Sequence, residues 1–117
     1  MKIFYHHIYE YKKGLRNFVL HTLHSSYQEN AENLLIKHEI DYVIHRISEK
    51  KVNIFFGNKS CVDTLLQFGT LHLNELSDEQ DFILGIMLGY SIPIQCERFL
   101  KRTKSKQSQK IKKPINF

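Results

Sequence analysis

At 117 residues, with 42% hydrophobic residues, six Tyr and eight Phe, the chain has enough apolar material for one modest core. Two Pro and five Gly exclude a low-complexity composition, and no run of about 18 apolar residues is present to cross a membrane. The net charge of +5 is unevenly divided: residues 1–100 carry −2, and residues 101–117 carry +7 with no acid at all. This is a near-neutral domain, 1–100, followed by a basic tail, 101–117.

The first element is a helix over Tyr5–Lys13, with Tyr5, Ile8, Tyr9 and Tyr11 at the spacing of one face and Gly14 as its stop. Arg16–His24 reads as a strand whose two parities are both apolar, so both its faces need cover. Ser26 and Glu29 form a helix-start pattern, and the helix should run to about His38 with Ala31, Leu34, Leu35 and Ile36 inward. Asp41–Ser48 and Val52–Phe56 then make a hairpin around Glu49-Lys50-Lys51. Gly57-Asn58-Lys59-Ser60 breaks the strand and leads into a helix over Cys61–Phe68, capped by Asn58 or Ser60. Leu71–Leu76 reads equally as extended chain or loop. Ser77 and Gln80 make a capping box for a helix to about Gly89. Pro93 suits the first turn of a last helix carrying Cys96, Phe99 and Leu100.

The order α-β-α-β-β-α-α-α contains most of a split β-α-β unit. A right-handed crossover predicts a three-stranded mixed sheet in the order 1-3-2, with helices on one face: an α+β fold with five helices. Such a sheet has open edges and a bare second face, and a homodimer would cover both.

Chemistry is sparsely written. Cys61 and Cys96 are read as free thiols, since the start of the chain lacks the apolar stretch of a secretory signal and the cytoplasm is expected. Cys61 falls at a helix N-terminus beside Lys59, where helix dipole and cation would lower a thiol pKa, or where free N–H groups would hold an anion. Of seven histidines, His21 and His45 stand mid-strand at matching parity. They would then share one sheet face and line a dimer interface or ligand pocket, although ordinary half-buried histidines fit the same pattern. No zinc spacing, P-loop, catalytic triad order or cofactor fingerprint is found, so no cofactor is expected. The tail cations, Lys101, Arg102, Lys104, Lys106, Lys110, Lys112 and Lys113, are expected on a disordered segment. They would meet an acidic protein, meet nucleic acid, or simply solubilise the chain. No aromatic interleaves them before Phe117, which argues against base stacking by the tail.

The segments HHIYEYKKGLRNFVLHTL (6–23) and GYSIPIQCERFLKR (89–102), with the element order between them, resemble a small bacterial family of unknown function. That resemblance implies three strands, five helices, homodimers and, for some members, genes near flavodoxin. It carries no catalytic motif and no functional residue. It implies an accessory role close to flavodoxin or to the metabolism that flavodoxin serves, and the absence of catalytic motifs makes a non-enzymatic, protein-binding function the expectation. The alternative is a nucleic-acid-associated module binding through the basic tail.

Overall fold

The computed structural model describes the backbone of residues 1–110 and the side chains as far as Lys106. Helix α1 (Lys2–Lys12) buries Phe4 and Ile8, one turn apart. The sequence reading put Tyr5 and Tyr9 on the inner face, yet both are 55% exposed while Phe4 is fully buried. Two stripes run along this helix, Tyr5 with Tyr9 and Phe4 with Ile8, and the pair without hydroxyls goes inward, because a buried phenol needs a hydrogen-bond partner. Tyr11, at the rim of the buried stripe, finds one: its hydroxyl donates to Asn58 Oδ1 at 3.0 Å.

The sheet has strands β1 (Phe18–His24), β2 (Asp41–Arg46) and β3 (Lys51–Gly57) in the expected order, with β3 central. Both ladders are antiparallel, so the sheet is antiparallel rather than mixed: β1 and β2 point the same way but never touch. The α+β class and the five helices are as read from sequence.

Helices cover both faces of the sheet, not one. On the first face Val52, Ile54 and Phe56 of β3 pack with Val19 and Leu23 of β1 under α1 and α2 (Gln28–Lys37). On the second, Phe18 and Phe55 meet α3 (Lys59–Leu66) and α4 (Asp78–Met87) through Val62, Leu65, Leu76, Leu84 and Leu88. The reason is visible in β3: Val52–Gly57 is an unbroken buried run, the pattern of a strand enclosed on two sides. The bare face that argued for a homodimer is therefore occupied, and only the outer edges of β1 and β2 remain as sheet surfaces.

Local signals decide several boundaries. The capping box forms as read: Gln80 N–H donates to Ser77 Oγ at 3.1 Å and Ser77 N–H to Gln80 Oε1 at 3.0 Å. Ser26 does not cap α2. A single 3-10 turn, Ser25–Tyr27, comes first, and there the His24 ring accepts from Ser26 N–H at 3.1 Å. Leu73–Glu75 also form a 3-10 turn, in the stretch that the sequence left open.

The last helix, α5 (Ile92–Lys110), does not stop near Leu100. The segment expected to leave the domain as a disordered tail continues the helix to Lys110, and residues 111–117 lie outside the described residues. Arg98, Arg102 and Lys106 recur every fourth residue and so share one helix face, which sits against acids at the start of α4. That pairing gives the basic run a reason to stay helical. Among the described residues no helix is long and apolar enough to cross a membrane.

Candidate functional site

The α4–α5 pair is held by charge on one side and by close packing on the other. Arg102 Nε and Lys106 Nζ reach Asp78 Oδ1 at 2.9 and 3.0 Å; Arg98 Nε and Arg102 Nη1 reach Asp81 at 2.8 and 2.9 Å. Lys106, with help from Arg102, holds the Asp78 carboxyl below the usual carboxylate range, and Arg98 does the same for Asp81. Gln95 is buried and donates to the Asp81 carbonyl at 3.1 Å. It lies where a Cβ on Gly85 would be, so the glycine lets the two helices close up.

Two of the tail cations, Arg102 and Lys106, are thus committed to the protein's own acids. Lys101 and Lys104 project outward, and Lys101 lines an open depression of about 750 Å³ with Ile94, Glu97 and Ser105. Ile94 and Leu100 are about two-thirds exposed on the same outer surface, at 64% and 66%. The side chain of Lys110, and all of Lys112 and Lys113, lie outside the described residues. The signal missed in sequence was the match between Asp78 and Asp81, three apart on α4, and cations four apart on α5.

His21 and His45 are not brought together. His21 stands opposite Ile54, on the α1–α2 face; His45 stands opposite Asn53, on the α3–α4 face. Matching parity within each strand gave the wrong answer because the pairing register through β3 decides the face, and one residue of offset inverts it. Each histidine has instead a histidine partner from outside the sheet. His21 lies against His7 of α1 (5.2 Å between ring centres) and Phe4 (5.6 Å). His7 Nδ1 sits 3.1 Å from Arg16 Nη1 and 3.3 Å from Glu10 Oε1, so it accepts from the guanidinium when bare and donates to the carboxylate when protonated. His45 meets His72 edge-on at 4.4 Å in a shallow depression that Leu65, Leu66 and Leu71 line, and its buried Nδ1 has no hydrogen-bond partner among the described residues.

Burial, reinforced by the neighbouring imidazole, lowers the pKa of both His21 and His45; Glu75 opposes the shift at His45. The sign for stability follows. Below pH 6.5 the unfolded chain takes up protons that these two rings resist, so stability falls as pH drops from 6.5 through their folded pKa values. A second loss belongs below about pH 3.8, where Asp78 and Asp81 must be protonated against their cations. Urea midpoints between pH 8 and pH 3 should show both declines, and His45→Gln with His21→Gln should flatten the upper one.

Cys61 behaves differently from the sequence reading. Burial raises its pKa, and a hydrogen bond with Ser60 offsets only part of this. Lys59 is turned to Asp63 at 2.9 Å, so its charge is spent on the helix itself. The Cys61 N–H is bonded to the Asn58 carbonyl at 3.0 Å and is not free to hold an anion. Neither Asn58 nor Ser60 caps α3 through its side chain. Cys61 and Cys96 are both free thiols, and among the described residues no three metal-ligating side chains converge.

A family described as Protein of unknown function (DUF2023) matches residues 2–102. The chain belongs to that family. No curated protein matches it. The matched span holds both histidine pairs, Asp78, Asp81, Arg98 and Arg102, and ends inside α5, before Lys104 and Lys106.

Proposed function

We propose that this protein is a non-enzymatic, cytoplasmic binding or accessory protein that meets an acidic protein partner with the outer face of α5. The observation that carries the reading is the exposed pairing of Lys101 and Lys104 with Ile94 and Leu100 on a helix whose inner cations are already neutralised. Apolar anchors beside unpaired cations suit an acidic protein surface better than a bare polycation would. Flavodoxin, brought forward by the sequence resemblance, is the partner to test first, since flavodoxins are generally acidic. A homodimer is part of the reading, and the exposed Tyr90 and Ile92 where α4 turns into α5 offer it an apolar corner.

Titration of the full chain against a flavodoxin, at several salt concentrations, tests this directly. Lys101→Glu with Lys104→Glu should weaken binding about tenfold or more and flatten its salt dependence. Leu100→Ala should weaken it at unchanged salt slope. Equal affinity of all three proteins would remove α5 as the contact. Preference for an oligonucleotide over the acidic protein, lost in the same charge reversal, would favour the nucleic-acid reading of the tail.

A further inference from the structure

The net charge of residues 1–100 is −2, a sum that by itself gives no sign of a basic face. The fold sorts that charge unevenly. On α1 a period of 3.6 residues gathers Tyr5, Tyr9, Lys12 and Lys13 on one stripe, next to the buried stripe of Phe4 and Ile8. Helix α2 runs alongside and adds Lys37 and His38. Two depressions share Tyr5 in their lining: one of about 410 Å³ between α1 and α2, and one of about 440 Å³ along α1 as far as His38; together they make the α1–α2 groove.

Among the described residues no carboxylate lines either depression. Glu10 is turned to the other side of α1, toward His6 and His7 at 3.7 and 3.3 Å. Glu32 is turned to the other side of α2, where it accepts from the Tyr42 hydroxyl at 3.0 Å. The polar floor near Tyr5 comes from Asn30 and Asn33, which donate and accept hydrogen bonds without charge.

The geometry points to this α1–α2 groove as a binding surface for single-stranded nucleic acid, with Tyr5 and Tyr9 stacking bases and Lys12, Lys13 and Lys37 meeting phosphates. Both tyrosines are more than half exposed in a protein that had a core to put them in. Tyrosine rings among cations make the sequence-tolerant platform that single strands use, since every base has a face to stack and every nucleotide a phosphate to meet. The three lysines gather where α1 and α2 end, with Lys12 and Lys13 adjacent and Lys37 beside His38, while Tyr9 and Tyr5 lie one and two turns back along α1. Tyr9 stacks with His6 (6.3 Å between ring centres) and has the Lys13 ammonium 5.6 Å from its ring centre. Exposed contacts of that kind are weaker than base stacking, so a base displaces one of them. Lys12 Nζ lies 3.2 Å from His38 Nδ1, an exposed contact that contains no carboxylate to neutralise the ammonium. The surface is separate from α5 and makes no use of the tail.

The test is fluorescence anisotropy of a labelled oligouridine 12-mer with the full chain, between low and moderate salt. Lys12→Ala, Lys13→Ala and Lys37→Ala together should reduce the slope of log affinity against log salt by about 2, near 0.7 per phosphate contact. Tyr5→Ala with Tyr9→Ala should cost about tenfold or more at unchanged slope, and Tyr5→Phe with Tyr9→Phe should restore most of it. Circular dichroism of each variant separates this from unfolding, and amide shifts of α1 on titration report contact in the wild-type protein. Absence of binding at low salt would overturn the proposal. So would binding that Lys101→Ala with Lys104→Ala abolishes while the α1 variants leave it intact. Displacement of the oligomer by polyglutamate of equal charge, equally in wild type and in the Tyr→Ala variant, would mean that the groove takes acidic protein instead.

Discussion

Phe4→Ala should be among the most damaging single substitutions in the protein, at about 3–5 kcal/mol of folding stability. The side chain is fully buried, packs edge-on against Phe56 at 5.6 Å between ring centres, and touches the His21 ring at the same distance. It is the main anchor of α1 on the sheet, with Ile8 one turn on. Truncation removes the transfer free energy of an aromatic ring and leaves a hole that a helix docked at two points closes poorly. Because a domain of this kind has only about 5–15 kcal/mol in total, the variant should unfold at much lower urea, with a midpoint temperature lower by roughly 4 °C per kcal/mol. Tyr5→Ala, one residue along, should cost under about 1 kcal/mol, because its side chain is more than half exposed. Equal losses at the two positions would mean that α1 is docked the other way round.

Gly57→Ala should destabilise by about 3 kcal/mol or more, for a reason independent of core volume. Gly57 has φ +148°, a backbone conformation that L side chains rarely adopt, and a Cβ there would run into the Asn17 carbonyl and the Phe18 Cα. Those are backbone atoms of the approach to β1, and the strand pairing of Phe18 with Gly57 leaves them no room to retreat. Strain of about 1–3 kcal/mol from the dihedral and a clash at the sheet's central strand should add. Gly14→Ala separates the two effects. Gly14 also has positive φ, at 78°, but a Cβ there meets nothing within 4 Å, so only the dihedral term of about 1 kcal/mol should appear. Chemical denaturation of both variants reads the difference. A Gly57→Ala protein as stable as Gly14→Ala would show that β1 can shift away from β3.

What was legible in the chain followed from local rules. Ser77 with Gln80 marked the start of α4 because a capping box satisfies two backbone donors within four residues, whatever surrounds it. The element order and the 1-3-2 strand order were read correctly for a related reason: turn residues and hydrophobic period are short-range, and handed crossovers leave few topologies. Where two local patterns competed, the answer needed the third dimension. Tyr5 and Phe4 are both aromatic and adjacent, and only the demand of a buried hydroxyl for a partner separates them.

The sequence by itself determined an α+β domain with five helices, the stops of the first four and its free thiols. The tertiary structure decided which faces the side chains share. It put His21 and His45 on opposite sides of the sheet, since register is a property of the strand pair and not of either strand. It turned a basic run into the second half of α5, because Asp78 and Asp81 lie twenty or so residues upstream and meet those cations only once α4 and α5 fold together. It also drew a basic aromatic groove out of a domain whose summed charge is slightly negative, by sending Glu10 and Glu32 to the far sides of their helices. Charge summed along a chain says how much there is; folding alone says where it stands.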